Sequence, residues 1–335
     1  MDKIAGLKEY VALRSYREAL GLPEKVTEHY QLLAQGEYNR NYLFVHPYTG
    51  RKLVLRVNCG SQMHLPDQIG YEYSTLKLLE HSARTPVPCY VDGSLEKLPH
   101  GIMVMEFLPG HALDYRTELL RGAGCLADIH SIAVKEDSHL LRPKEPLRAI
   151  LSECEEMVGT YMDSALGDIK IKRKIRAMLN KGWKICERRE LKSSYECCVN
   201  TELNSTNFLI NGEGKQNYLI DWEKPVYGDP AQDLGHFLAP TTTFWKTDVI
   251  LKPEEREAFL KYYIRSVDGR FDTEGIVERT KAFIPITCLR GITWCAMAFV
   301  EYQQPGRLLM NPSTMKKLSQ YLDEDFLEER EIEAG

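Results

Sequence analysis

The sequence predicts a bilobal α+β protein, with a small β-rich N-terminal lobe and a larger, mostly helical C-terminal lobe. Three observations predict this division. Short apolar runs bounded by turn residues dominate the first third of the 335 residues. Runs with helical spacing dominate the remainder, and one hairpin-like segment interrupts them. We place the lobe boundary between residues 107 and 108 and expect a ligand cleft between the lobes.

The N-terminal lobe, residues 1–107, begins with a charged segment of helical pattern and continues mainly as strands. The runs "YLFVH" and "KLVLRV" flank a "PYTG" turn, which predicts a β-hairpin. The segment "LPDQIGYEYSTLKLLEHS" carries apolar residues at helical spacing. The apolar run "GIMVMEFLPG" predicts a strand that ends at Pro109 and Gly110, a natural hinge.

The C-terminal lobe, residues 108–335, has helical spacing over most of its length. Pro285 lies inside one long apolar pattern and is expected to kink or split that helix. The expected helices cover residues 118–132, 146–166, 168–190, 252–267, 273–304 and 311–330.

A second hairpin is predicted within the helical region. The apolar runs Phe208–Ile210 and Tyr218–Ile220 flank the turn-rich segment "NGEGKQ". In an antiparallel pair, the start of one strand lies beside the end of the other. We therefore expect Asn207 and Asp221 to be neighbours at the open end, with Glu202 on the preceding loop.

Composition excludes several classes of protein. The net charge of −5 and the pI near 6.0 argue against a general nucleic-acid binder. We expect no membrane-spanning segment and no secretory leader. The nine cysteines form no C-x-x-C pairs, so we expect reduced thiols, a cytoplasmic location and no zinc site. The oligomeric state stays open.

Several polar residues are candidates for phosphate chemistry. The oxygens of Asn207 and Asp221 are ligands of the kind that Mg²⁺ accepts, and Glu202 could take a proton from a nucleophile. A loop at Gly36 could cover phosphates with backbone N–H groups, and Arg56 could face phosphate oxygens. Each residue alone is more typical of an ordinary turn or a solvated surface. Their order along the chain favours the functional interpretation.

That order resembles the aminoglycoside phosphotransferase and choline kinase superfamily, whose members have a protein-kinase-like fold. The resemblance covers nearly the whole chain. "QGEYNRNYLF" is similar to the nucleotide-binding loop of the family and implies that Gly36 and Asn39 bind nucleotide. "LVLRV" resembles the third strand with its cation, Arg56. "YEYSTLKLLEHSARTPVP" resembles the helix that carries the cation's partner, Glu72.

Two further segments extend the resemblance. "VMEFLPG" is similar to the hinge strand, where backbone groups of Glu106 and Leu108 would meet the adenine. "LIDWEKPVYGDPAQDLGHFL" is similar to the family's metal-binding Asp followed by Gly-Asp-Pro-x-x-Asp-Leu. The resemblance implies that Asp221 binds metal and that Asp233 braces the catalytic loop through hydrogen bonds. It also implies Mg²⁺ as cofactor, with ATP or GTP as the phosphoryl donor.

The sequence departs from the family at the catalytic loop. The usual pattern is His-Gly-Asp-Leu-x-x-x-Asn, with Asp as the catalytic base, whereas this chain has "NTELNSTN". Asn207 matches the family's metal-binding Asn, but Glu202 stands in place of the Asp and Asn200 in place of the His. Two hypotheses follow: a small-molecule kinase, and a catalytically silent nucleotide-binding module.

The acceptor would be a small hydroxyl compound, such as an amino alcohol, a sugar or an aminoglycoside. In choline kinases, aromatic side chains of the C-terminal helices surround the ammonium group. Here Trp294, Ala298 and Tyr302 share one helix face, which is more typical of core packing. Trp245 lies on a predicted loop and is the better candidate for a pocket wall.

Overall fold

An antiparallel sheet and a group of packed helices make up the chain, so the predicted α+β class is confirmed. The computed structural model describes residues 4–188, 191–303 and 312–333. Two compact units are present. The sheet unit comprises Met1–Leu113, Ser131–Leu141 and Thr206–Pro225, and the helical unit comprises Asp114–His130, Arg142–Ser205 and Val226–Gly335. The lobe boundary at residues 107 and 108 stays a prediction.

The sheet unit is built on five antiparallel strands in the order β1-β2-β3-β5-β4. The predicted hairpin is confirmed as β2 and β3, which pair so that Asn41 lies opposite Arg56. The predicted helix is confirmed as α3, and its first turn is capped by Asp67, which accepts a hydrogen bond from the Gly70 N–H at 2.9 Å. The bounds are β1 Gln31–Gln35, β2 Asn39–Val45, β3 Lys52–Asn58, β4 Pro88–Asp92, β5 Gly101–Glu106, α1 Leu7–Val11, α2 Arg14–Leu20 and α3 Gln68–Leu79.

The core of the sheet unit lies between the sheet and the N-terminal helices. Alternate residues of β3, Leu53, Leu55 and Val57, are buried there because successive side chains of a strand point to opposite faces. Leu7 and Val11 of α1 belong to the same apolar cluster. Arg56 lies between these alternate positions, so its side chain is on the other face of the sheet.

The second hairpin is also confirmed. Strands β8, Phe208–Ile210, and β9, Tyr218–Leu219, are antiparallel, and β6, His111–Ala112, adds a third strand. At the open end the Ile220 N–H donates to the Asn207 carbonyl at 2.8 Å, which brings the flanks of Asn207 and Asp221 together. Before β6, Gly110 has φ +138°, and a Cβ there would lie 2.8 Å from the Leu209 carbonyl carbon.

The helical unit contains α4 to α12 and a two-stranded ladder. Strand β7 pairs antiparallel with β10, so the segment before the loop at residues 200–207 lies beside the start of the Gly-Asp-Pro motif. Helices α5, α6 and α10 enclose the main apolar core. The bounds are β7 Cys197–Val199, β10 Val226–Gly228, α4 Leu119–His130, α5 Pro146–Asp163, α6 Ile169–Cys186, α7 Pro230–Leu238, α8 Pro240–Thr247, α9 Pro253–Val267, α10 Ile276–Tyr302, α11 Pro312–Tyr321 and α12 Glu324–Glu333.

Two sequence-based expectations about these helices are corrected in part. Pro285 was expected to kink or split its helix, and the split does not occur, because α10 continues from Ile276 to Tyr302 with the proline inside it. A proline in a helix interior costs about 3 kcal/mol, and the packing of α10 on α5 and α7 offsets that loss. The expected helix at 311–330 is two helices, α11 and α12. The ends of the helices expected at 168–190, 273–304 and 311–330 fall partly outside the described residues.

Helix α10 also qualifies the expectation that no segment could span a membrane. By length and composition alone, Ile276–Tyr302 is long and apolar enough, with a mean hydropathy of 1.6 in its most apolar window. However, 67% of that window is buried inside the protein, as in the core helix of a soluble protein. All nine cysteines are free thiols.

Candidate active site

Four charged side chains of the sheet unit form one cluster around Arg56. Its guanidinium Nη1 makes a close ion pair with Glu72 Oε1, and lies 3.7 Å from Asp221 Oδ1 and 3.8 Å from Glu223 Oε1. The Nε atom donates to Asn41 Oδ1 at 3.0 Å across the β2–β3 pair. Burial alone would lower the pKa of Arg56, but the charges of Glu72, Asp221 and Glu223 together raise it. The guanidinium is therefore a fixed positive charge.

The cluster contains more negative than positive charge. Three carboxylates, those of Glu72, Asp221 and Glu223, share a single guanidinium. Burial, followed by the charge of Asp221, raises the pKa of Glu223 to about 8, although Arg56 opposes the shift. Glu223 therefore holds a proton over much of the neutral range, and an added cation would favour its ionised form.

Asp221 differs from the other two acids in conformation and exposure. Its φ of +70° lies in the left-handed region, which costs a non-glycine residue about 1–3 kcal/mol. Its side chain is 48% exposed, whereas that of Glu72 is 2% exposed. Asn207 is buried at the same open end of the hairpin, where its backbone carbonyl accepts from the Ile220 N–H beside this turn. An exposed carboxylate in a strained turn is typical of a ligand-binding acid.

The oxygens of Asp221 and Asn207 fit a magnesium ion. Mg²⁺ prefers carboxylate and amide oxygens, and takes further oxygens from substrate phosphates and water. The excess negative charge around Arg56 is what a divalent cation would balance. Within the described ranges, no three His, Cys, Asp or Glu side chains are grouped to hold an ion by themselves. A metal here would therefore depend on phosphate oxygens as well.

The other residues expected to bind nucleotide are hydrogen-bonded or buried within the sheet unit. Gly36 lies in the β1–β2 turn, where its N–H donates to the Asn39 carbonyl at 2.8 Å. The Asn39 side chain is buried, donates to Glu223 Oε1 and accepts from Asn58 Nδ2 at 2.9 Å. Glu106 ends β5, and its N–H donates to the Val87 carbonyl at 2.9 Å, while Leu108 is buried. Their roles toward nucleotide stay predictions.

In the helical unit, Asp233 is hydrogen-bonded to the loop that follows β7. Its Oδ2 accepts from the Asn200 N–H at 2.7 Å, and its Oδ1 accepts from the Thr201 N–H at 2.8 Å. The fully buried His130 lies with Nε2 3.2 Å from Oδ2, and its Nδ1 lies 2.8 Å from the Tyr263 hydroxyl. Asp233 thus makes hydrogen bonds of the kind that the resemblance implied, and its role in catalysis stays a prediction. His130 and Tyr263 were not predicted.

Glu202 follows this braced turn and has a cationic neighbour. Its side chain is 39% exposed, and its Oε1 lies 4.0 Å from Arg290 Nη2. Arg290 of α10 makes two hydrogen bonds to Glu153 of α5, at 2.9 and 3.0 Å. Burial opposes the charge of Arg290, but the Glu153 contacts raise its pKa. A general base must lie within hydrogen-bonding distance of the hydroxyl whose proton it takes. Such a role for Glu202 therefore depends on where a substrate hydroxyl binds.

The aromatic residues Trp245 and Trp294 differ from expectation in two respects. Trp245 is part of α8 rather than of a loop, and it contacts Trp294 edge-on with ring centroids 5.5 Å apart. Trp294, one helical turn beyond Arg290, is 40% exposed, so it is not a core residue. The exposed aromatic is thus Trp294, and Trp245 supports it.

Glu223 is the main site residue that sequence reasoning missed. It lies two residues after Asp221, so its side chain can approach the same cation as Asp221. The only signal in the sequence was a second acid in "LIDWE", and surface acids at that spacing are common. Its burial between Asn39 and Arg56 could not be inferred from the local sequence.

A five-stranded antiparallel sheet that carries a buried Arg–Glu pair, together with a mostly helical unit, is the fold of the small-molecule kinases. The chain belongs to the phosphotransferase enzyme family, whose model matches residues 29–275. No curated protein matches the chain.

Solved structures of such kinases share the fold. A Plasmodium vivax ethanolamine kinase is 17% identical, with a TM-score of 0.64 over 96% of this chain and 88% of its own. The choline kinase from Cryptosporidium parvum Iowa II is 13% identical, with a TM-score of 0.66 over 97% and 96%. A spectinomycin phosphotransferase in complex with ADP and spectinomycin is 15% identical, with a TM-score of 0.59 over 93% and 94%.

Proposed function

We propose that this protein is a kinase that transfers the γ-phosphate of ATP or GTP to a hydroxyl of a small molecule. The observation that carries the proposal is the buried Arg56–Glu72 pair next to the exposed, left-handed Asp221. Phosphoryl transfer depends mainly on positioning and charge stabilisation, and this cluster offers a cation and a metal ligand together. The ADP complex of the similar spectinomycin phosphotransferase supports a nucleotide donor.

The residues of the sheet unit would bind the donor. Arg56 faces phosphate oxygens while Glu72 fixes its orientation, and Asp221 with Asn207 holds Mg²⁺. When bound, Mg²⁺ neutralises charge on the phosphate oxygens. The turn at Gly36 and Asn39 covers the phosphates, and backbone groups of Glu106 and Leu108 contact the base, as the family resemblance implies.

Glu202 would be the general base for the acceptor hydroxyl. Asp233 fixes the turn before it through the Asn200 and Thr201 N–H groups, which sets the start of the Glu202 side chain. Glu carries one more methylene than the usual Asp, and a misplacement of about 1 Å can cost about 100-fold in rate. The exposed Trp294 and the acids Glu153 and Glu202 suit an acceptor with a cationic group, such as an amino alcohol or an aminoglycoside. A sugar acceptor stays open.

The alternative is a catalytically silent nucleotide-binding module. The replacements at Asn200 and Glu202 are the observations that favour it. The retained Asp233 contacts favour the enzyme, because a loop without a chemical role would need no such bracing. The free cysteines suit a reducing, cytoplasmic compartment for either function.

A turnover screen tests the proposal. ATP and GTP are each supplied with Mg²⁺ and a panel of amino alcohols, sugars and aminoglycosides, and nucleoside diphosphate release is followed. We expect acceptor-dependent release that Asp221→Ala abolishes. Nucleotide binding without release for any acceptor would favour the silent module. Absence of nucleotide binding by the wild-type protein would contradict both functions.

Glu202 variants then test whether Glu202 acts as the general base in phosphoryl transfer. Glu202→Gln removes the proton acceptor and should lower the transfer rate about 10²–10⁴-fold. Glu202→Asp should also lower the rate if the loop is adjusted to the longer side chain, and should raise it if the loop is not. Turnover unchanged by both variants would show that Glu202 takes no part in transfer.

A further inference from the structure

The segment after Asp221 is held by the polar face of α3. Gln68 Nε2 donates to the Glu223 carbonyl at 2.7 Å, and the Tyr71 hydroxyl donates to the Pro225 carbonyl at 2.6 Å. Gln68, Tyr71 and Glu72 lie on one helix face, since residues three and four apart are neighbours. Residues 222–225 are in neither a helix nor a strand, so these side chains replace a regular backbone ladder.

Both side chains are themselves fixed. The Gln68 amide, which is buried, accepts from Ser61 Oγ at 2.6 Å, and Ser61 Oγ accepts from the Leu65 N–H at 2.9 Å. The Tyr71 hydroxyl accepts from the Leu141 N–H at 3.1 Å while it donates to Pro225. The Gln68 amide and the Tyr71 hydroxyl each donate one hydrogen bond and accept another. Each side chain therefore has one preferred orientation, which directs its donor at the carbonyl.

Glu223 is held from its other side as well. Asn39 Nδ2 donates to Glu223 Oε1, and Asn58 Nδ2 bridges Asn39 Oδ1 and the Gly60 carbonyl, each at 2.9 Å. The residue two positions after Asp221 is therefore fixed through its backbone by α3 and through its side chain by β2. A left-handed aspartate persists only where its surroundings determine the backbone on both sides. The Ile220–Asn207 hydrogen bond supplies the preceding side.

We propose that Gln68 and Tyr71 are positioning residues that fix the backbone of residues 221–225 and so present the Asp221 carboxylate to Mg²⁺. The inference rests on the proposed function, because it assumes that Asp221 binds the metal. Glu72 orients Arg56 from the same helix face. One face of α3 thus sets the position of the phosphate-binding cation and, through two carbonyl groups, that of the metal ligand.

The test measures magnesium affinity without turnover. Thermal shifts are recorded with saturating ADP, or GDP if the protein prefers it, while Mg²⁺ is titrated. The variants are Gln68→Met, Tyr71→Phe and the double mutant. Loss of a side chain that supports a metal ligand typically costs 10–100-fold in metal affinity. We expect the Mg²⁺ concentration at half-maximal shift to rise about 10-fold in each single variant, with metal-free ADP affinity unchanged.

Matched controls remove the same bond types elsewhere. Gln216→Met deletes an amide that donates to the Ala83 carbonyl at 2.8 Å, and Tyr321→Phe deletes a hydroxyl that donates to the Thr241 carbonyl. Both controls should keep the wild-type Mg²⁺ midpoint even where they lower the melting temperature. A purely structural role for Gln68 and Tyr71 would change melting alone, as in the controls.

The outcomes are distinct. Wild-type Mg²⁺ midpoints in folded Gln68→Met and Tyr71→Phe would overturn the inference. If Gln68→Met does not fold, Tyr71→Phe and Ser61→Ala decide, and unchanged midpoints in both would also overturn it. If the wild-type protein shows no magnesium-dependent shift, the proposed metal site and the inference both fail. If it responds to magnesium but phosphorylates no acceptor, only the proposed transfer fails, and the variant midpoints still decide the inference.

Discussion

Among the turns that place a non-glycine residue in the left-handed region, those at Asp221 and Thr201 are held in different ways. Asp221 and Thr201 both have φ +70°. At the first turn the acid is the strained residue itself, and its carboxylate is half-exposed. At the second, the acid is the buried Asp233, whose oxygens accept the N–H groups of the turn. One acid is presented to solvent by its turn, whereas the other holds a turn in place.

The same Asp→Asn substitution should therefore have opposite effects on the unliganded protein. At Asp233 it should be severely destabilising. An amide nitrogen cannot accept the hydrogen bond that a carboxylate oxygen accepts, so a buried N–H loses its partner. We expect Asp233→Asn to lower the free energy of unfolding by about 3–5 kcal/mol, the range for a broken buried charged network. Urea unfolding measures this, with the exposed Asp272→Asn as control, and a loss below that of the control would contradict it.

Asp221→Asn should leave the unliganded protein as stable as the wild type or slightly more so. Asn tolerates the left-handed region, and one of three carboxylates around Arg56 is removed. The loss should be confined to the liganded state. At 100-fold over the dissociation constant, a ligand stabilises by about 2.7 kcal/mol, and we expect the magnesium-dependent part of that gain to disappear. Thermal shifts with ADP and with Mg²⁺–ADP measure it; a retained magnesium increment would exclude Asp221 as the metal ligand.

Glu223, which follows the exposed Asp221 turn, should make the free energy of unfolding depend on pH. Its pKa of about 8 lies above its ordinary value of 4.5, so the folded state binds the proton more tightly than the unfolded state. Its contribution to stability is present below the ordinary pKa and is lost as pH rises toward 8. Without metal, the wild type should lose about 2 kcal/mol more than Glu223→Gln between about pH 5 and about pH 6.5. Equal losses in urea melts at the two pH values would contradict this, and Glu213→Gln serves as the exposed control.

Thr201 should show the smallest effect. The family pattern has Gly at this position, and a β-branched residue with φ +70° is strained. Thr201→Gly should relieve that strain, while the more flexible unfolded chain offsets part of the gain. We expect the free energy of unfolding to rise by about 0.5 kcal/mol, measured by urea unfolding with Thr247→Gly as the helical control. A loss as large as that of the control would show that the Asp233 contacts leave no strain at Thr201.

The sequence predicts where the turns at Asp221 and Thr201 lie far better than it predicts the contacts that hold them. Local patterns suffice for the β2–β3 and β8–β9 hairpins, because turn residues and apolar alternation are adjacent in the chain. The Asp233 contacts were expected only through the family motif. The Glu72–Arg56 pair was likewise expected from the family alone, since the two residues lie on different elements.

The remaining contacts could not be predicted because they join distant segments. Gln68 and Tyr71 are 155 and 154 residues from the carbonyls that they bind. The helical pattern of α3 identifies its apolar face, but it does not reveal what the polar face contacts. Pro285 shows the converse, since a local rule predicted a kink or a split, and α10 continues past the proline without a split because its packing holds it. Local patterns therefore locate elements, and tertiary contacts decide how those elements act.

Helix α10 sets the spacing of two contacts in the helical unit. Near its start, Arg279 Nε donates to Asp229 Oδ2 of the Gly-Asp-Pro motif at 2.7 Å, and about three turns later Arg290 meets Glu153 and Glu202. One inserted or deleted residue between them would rotate the later part of the helix by about 100° and shift it by about 1.5 Å. Arg290 would then leave Glu202. The number of residues between these two arginines therefore fixes their relative orientation around the helix axis. Homologous chains that keep both contacts should vary in composition there but not in residue number.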